Sequence, residues 1–136
     1  SLVSSAAGEI GNNSFDHNLG NWPDIMGTFF AYDIGKRRIV LADRGVGILA
    51  TLRKAIPDLK DDKEALRIAF TEMITGRSPE HRGNGLKYVR DAIIQAGANL
   101  FFQSGDAVLE IKKGDPSLLI KDASTSIQGC LAMIEF

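Results

Sequence analysis

The run Glu9-Ile10-Gly11-Asn12-Asn13-Ser14-Phe15-Asp16-His17 holds the first side chains with chemistry to offer. Glu9, Asn13 and Asp16 fall at i, i+4 and i+7, so a helix projects them from one face. That face is polar where a core should be. It carries the polar groups needed to hold a metal-bound phosphate. Two glycine clusters follow, Asp43-Arg44-Gly45-Val46-Gly47-Ile48 and His81-Arg82-Gly83-Asn84-Gly85-Leu86. In the first, a carboxylate at a strand end precedes two residues free to take positive φ, so it can accept a hydrogen bond from a ligand lying close to the backbone. A purine exocyclic amine is a suitable donor; an ordinary Asp-Gly turn is the alternative. The second cluster opens a helical run whose first N–H groups lack intrahelical partners, and phosphate oxygens bind readily at such a place.

Two common phosphate motifs are missing. There is no G-x-x-x-x-G-K-[ST], and no strand-G-x-G-x-x-G-helix arrangement of a dinucleotide fold. The two histidines, His17 and His81, give no metal-ligand spacing, so no zinc site is assigned. Arg77, Ser78, His81 and Arg82 stand just ahead of the second cluster and can bring charge to β- and γ-phosphates; an exposed basic loop is an equal reading.

These groups need elements to position them. Apolar residues at loose helical spacing predict a helix from 2 to about 20, ended by Gly20-Asn21-Trp22-Pro23. Thr28–Ile34 and Arg38–Ala42 read as a hairpin across Gly35-Lys36-Arg37, and the second strand delivers Asp43 to its end. Ile48–Ile56 reads as a short helix and Lys63–Ile74 as a longer one behind the acidic segment Asp58 to Asp62. Leu86–Ala96 is a third amphipathic run, starting at the second glycine cluster. Three strands are expected after it: Leu100–Ser104, Ala107–Ile111 and Ile127–Phe136. This order predicts an α/β (α+β) two-layer sandwich, a mixed, mostly antiparallel sheet with helices on one face.

Composition bounds the rest. The 136 residues suffice for one domain, and 44% apolar residues favour a packed core. A net charge of -1 gives no reason to expect nucleic acid or an anionic membrane as partner. No run reaches the length of a membrane span, and the single cysteine, Cys130, suggests a reducing, cytoplasmic setting. The chain starts without Met and almost at once inside a helix, so a piece of a longer protein is expected.

The three motifs in this order resemble the ATP-binding domain of the GHKL superfamily, which includes gyrase, Hsp-type chaperones, histidine kinases and MutL. The resemblance runs from Glu9 to Phe136 and implies the Bergerat fold, with Mg²⁺ and ATP or ADP as ligands. It implies that Asn13 binds Mg²⁺, that Glu9 is the general base, and that Asp16 orders water near the base pocket. Asp43 would hold the adenine amino group, with Gly45, Gly47 and Ile48 lining the pocket. Arg82, Gly83, Asn84, Gly85 and Leu86 would contact the triphosphate. Family members commonly carry Gly-Thr where this chain has Gly129-Cys130; a thiol is a weak donor, so either the hydrogen bond to Asp43 is poorer or Ser126 or a water supplies it. The segment Leu49 to Glu80 is expected to be a mobile ATP lid. The activity implied is phosphoryl transfer to a protein acceptor outside this piece, as in histidine kinases; an ATP-dependent switch and an anti-sigma-like serine kinase remain open.

Overall fold

The computed structural model describes residues 1–72 and 85–136. Chain order is α1 (Leu2–Asp16), β1 (Thr28–Asp33), β2 (Arg38–Asp43), α2 (Gly47–Leu52), α3 (Asp62–Thr71) and α4 (Gly85–Ala96). Four strands follow: β3 (Asn99–Ser104), β4 (Ala107–Lys112), β5 (Asp115–Asp122) and β6 (Cys130–Glu135). It is an α+β protein, an open six-stranded sheet in the order β1-β2-β6-β3-β4-β5 packed with four helices.

Every strand pairing is antiparallel, so the expectation of a mixed sheet is corrected. The physical reason is the place of β6. The helices between β2 and β3 carry the chain through a crossover that leaves those two strands pointing the same way, but β6 inserts between them and runs against both. Strand alternation then does the sorting. Leu41, Ala132, Phe102 and Leu109 line up across four strands, as do Ile39, Ile134, Leu100 and Ile111. These rows face the helices and join Ile10, Leu66, Phe70, Val89 and Ile93 in one core. Phe70 meets Phe102 edge to face at 5.2 Å between ring centroids, a favoured aromatic geometry.

Other boundaries move for local reasons. The first helix ends at Asp16, and residues 17–20 continue as turns with Gly20 at φ +77°. Ser1 caps its start, its hydroxyl accepting from the Ser4 N–H. The hairpin between β1 and β2 turns with Arg37, at φ 53°, in the left-handed region. The third of the four strands after α4, β5, is not among those expected. Its Asp115-Pro116 start and charged end break the alternation, which suits an edge strand.

The expected lid is also corrected over 49–72. Leu59, Ala65, Leu66, Ile68, Ala69 and Phe70 are buried, so α3 belongs to the core. Hydrogen bonds hold its acidic approach: Asp61 caps α3, the Asp62 carboxylate accepts from the Asp106 N–H at 2.9 Å, and Arg53 donates to the Leu59 carbonyl. Residues 73–80 of that segment lie outside the described residues.

Candidate functional site

Asp43 is the last residue of β2 and is 9% exposed. A buried carboxylate requires donors, and three segments supply them. Its Oδ1 accepts from the Gly45 N–H at 2.9 Å and the Cys130 N–H at 3.3 Å; its Oδ2 accepts from the Ser14 hydroxyl at 2.9 Å. All three donors are neutral. Oδ2 retains acceptor capacity, and Asp43 lines a cavity with Ile10, Asn13, Ser14, Gly47 and Ile48, closed further by Leu86 and Cys130.

Ser14 answers the question posed by Cys130. The expected support from Ser126 does not occur, because Ser126 is exposed and Asp43 is buried. Cys130 contributes its backbone N–H, and the hydroxyl comes from α1. Ser14 lies four residues after Ile10 on the buried face of α1, so a polar residue in the apolar stripe was the available signal. Asn18, 3% exposed, extends that line: its amide donates to the Ser14 carbonyl at 2.7 Å and its oxygen accepts from the Val46 N–H at 2.8 Å. The turn that follows α1 thereby fixes the loop between β2 and α2. Ser104 does the same from β3, accepting from the Ile48 N–H at 2.9 Å.

Gly129 admits this arrangement. Its φ is +87°, and a Cβ there would stand 2.1 Å from the Asp43 carbonyl oxygen and 2.7 Å from Oδ1. The C-terminal strand can reach the carboxylate only without a side chain.

Glu9 lies half-buried on α1, against the start of α4. A Cβ on Gly85 would come within 2.5 Å of its Oε1, so the first motif and the second glycine cluster touch here. Asn13 is on the cavity wall one helical turn further on. Asp16 is exposed at the end of α1 and does not line this cavity; His17 does. Arg82, Gly83 and Asn84, with Arg77, Ser78 and His81, fall outside the described residues, whereas Gly85 and Leu86 are buried in the first turn of α4.

Burial pushes the Cys130 thiol up to about 12, with the neighbouring Asp43 charge adding to the shift. Thiolate is the reactive form, so at pH 8 an alkylating reagent is expected to modify folded protein at least about a hundred-fold more slowly than denatured protein. The shift also carries a sign for stability. From the ordinary value of 9.0 to about 12 the unfolded chain ionises while the folded one does not, so this contribution is full below the lower value and lost as pH rises through the window. Equal labelling of both forms at pH 8 would contradict the raised thiol value.

No known protein family matches the chain, and no curated protein does. Among the described residues no cluster of three His, Cys, Asp or Glu could hold a metal ion, and no helix is long and apolar enough to cross a membrane.

Proposed function

We propose that this chain is a Mg-ATP-binding domain of the GHKL type, with the two-layer Bergerat arrangement of helices on one face of the sheet. The observation that carries the reading is the Asp43 carboxylate, buried at a strand end and held by three neutral donors, in a residue that lines a cavity with Asn13 and Leu86. Held this way, the carboxylate presents an acceptor to an exocyclic amine. The space beside it is about 30 Å³, water-sized, so a purine enters only as the cavity wall gives way. Mg²⁺ would arrive on the nucleotide phosphates and take the Asn13 oxygen as protein ligand, since an amide adds no further charge to a crowded site. The ion supplies charge neutralisation for phosphoryl transfer. Glu9 stands one turn before Asn13 as the proton acceptor, and Gly85 keeps the approach to it open. The acceptor of the phosphoryl group is a protein side chain elsewhere.

Base selectivity tests the reading. A charge-assisted hydrogen bond to the adenine amine is worth about 1.5–3 kcal/mol, and GTP would place a carbonyl oxygen against the same carboxylate. ATP is therefore expected to bind at least about ten-fold more tightly than GTP. Asp43→Asn is expected to weaken ATP and narrow that ratio. The variant is accommodated because the Ser14 hydroxyl can turn from donor to acceptor. Calorimetric titration of both nucleotides into both proteins decides it: a folded variant with an unchanged ATP-to-GTP ratio removes adenine from Asp43.

A further inference from the structure

The two edges of the sheet are built differently. Edge strand β5 carries Asp115, Pro116, Lys121 and Asp122, the charges and proline that discourage a further strand. Edge strand β1 is Thr-Phe-Phe-Ala-Tyr-Asp, with one charge at its end and no proline. Phe29, Phe30 and Tyr32 on it are 58%, 59% and 65% exposed. Apolar surface is concentrated here: of the twelve large hydrophobic side chains exposed among the described residues, eight lie between Phe15 and Ile34.

The backbone of β1 is ready for a partner. The Arg44 N–H donates to the Gly27 carbonyl, and in an antiparallel ladder bonded pairs alternate. With the register of β1 on β2, Phe29, Ala31 and Asp33 therefore bond inward, while Thr28, Phe30 and Tyr32 turn their N–H and C=O groups outward. A groove of about 570 Å³ between α1 and β1–β2, bordered by Gly8, Gly11 and Phe30, lies open along this edge.

We propose that β1 pairs antiparallel with β1 of a second copy of this chain, about a two-fold axis at Phe30, joining two six-stranded sheets into one. Two-fold pairing is self-complementary by construction, and this register satisfies every side chain. Phe30 meets the partner's Phe30, Thr28 meets the partner's Tyr32, and exposed Met26 meets the partner's Ile34, just beyond the strand ends. On the other face Phe29 meets the partner's Ala31. Asp33 comes opposite the partner's Gly27, over which the partner's Arg44 lies: a Cβ on Gly27 would be 3.7 Å from the Arg44 stem. The Arg44 side chain is 57% exposed beside Asp24, with donors left for a second carboxylate. Moving the axis one residue to Ala31 would set Asp33 against the partner's Phe29. The partner's Phe30 and Tyr32 would also cover the open side of the groove.

Sedimentation equilibrium of the 136-residue chain over about 1 µM to 1 mM is the test, a range spanning weak and moderate association. A monomer–dimer equilibrium is expected. Phe30→Asp, which sets two carboxylates on the axis, is expected to raise the dissociation constant at least about a hundred-fold, since like charges directly opposite repel. Tyr32→Lys, at an exposed side chain, is expected to raise it at least about ten-fold with an unchanged circular dichroism spectrum, which guards against a folding defect in the first variant. Under mild oxidation Phe30→Cys is expected to give a covalent dimer and Thr28→Cys none, because only the axial pair brings identical residues to about 5.5 Å, within disulfide range. A chain that stays monomeric throughout, a dimer indifferent to Tyr32→Lys, or equal crosslinking of the two cysteine variants overturns the proposal; a monomer whose edge is taken by a different protein does so too.

Discussion

Glu9→Gln is expected to slow ATP turnover by about a hundred-fold or more while leaving nucleotide affinity nearly unchanged. The exchange keeps the shape of the side chain and removes its ability to take a proton. Its position favours a kinetic role: Glu9 is half-buried on α1, faces the first residue of α4, and stands one turn before the proposed metal ligand Asn13. Gly85→Ala supplies an independent check. The added Cβ would meet Oε1 at 2.5 Å, and the end of a flexible side chain yields to it, so the carboxylate moves with its chemistry intact. Turnover is expected to fall there as well. Single-turnover hydrolysis combined with binding titrations reads both quantities; full activity in Glu9→Gln sinks the base assignment, and lost binding makes Glu9 a structural residue.

The largest effect on stability is expected from Gly129→Ala, a loss of about 3 kcal/mol or more. Two penalties combine. A φ of +87° is unfavourable for any residue with a Cβ, and that Cβ would stand 2.1 Å from the Asp43 carbonyl oxygen, a backbone atom between paired strands with little room to yield. The shift in melting temperature corresponds to roughly 10 °C for a chain of this size. Urea unfolding with an unchanged slope is the measurement, and a loss below about 0.5 kcal/mol, the range of an ordinary surface change, would contradict the close approach. Where the variant folds, the carboxylate must also turn, so nucleotide affinity is expected to fall with stability.

Much of the fold was legible because periodicity survives in single elements. Val89 and Ile93 mark the inner face of α4 at helical spacing, and Leu100, Phe102, Leu109 and Ile111 alternate as a one-sided sheet requires. The fifth strand hid behind Pro116 and its charges, since an edge strand with little to bury has no reason to alternate. The parallel component was a plausible reading of strands separated by helices, and only the insertion of β6 between β2 and β3 removes it. At the site, Asp43, Gly45 and Gly47 stood out as a short pattern. Ser14 and Asn18 did not, because their importance lies in what they reach across 29 and 28 residues of sequence. A lid drawn from charge density failed over α3, where one apolar face outweighs the acidic approach.

The central position of β6 has a consequence for how the chain is made. Residues 130–135 pair with β2 on one side and β3 on the other, so during synthesis the sheet stays in two unjoined halves until those residues have left the ribosome. Until then the inner edges of β2 and β3 are bare, the Asp43 carboxylate lacks its Cys130 donor, and the cavity beside it lacks one of its walls. Long-range pairing of this kind is slow and leaves strand edges open to wrong partners.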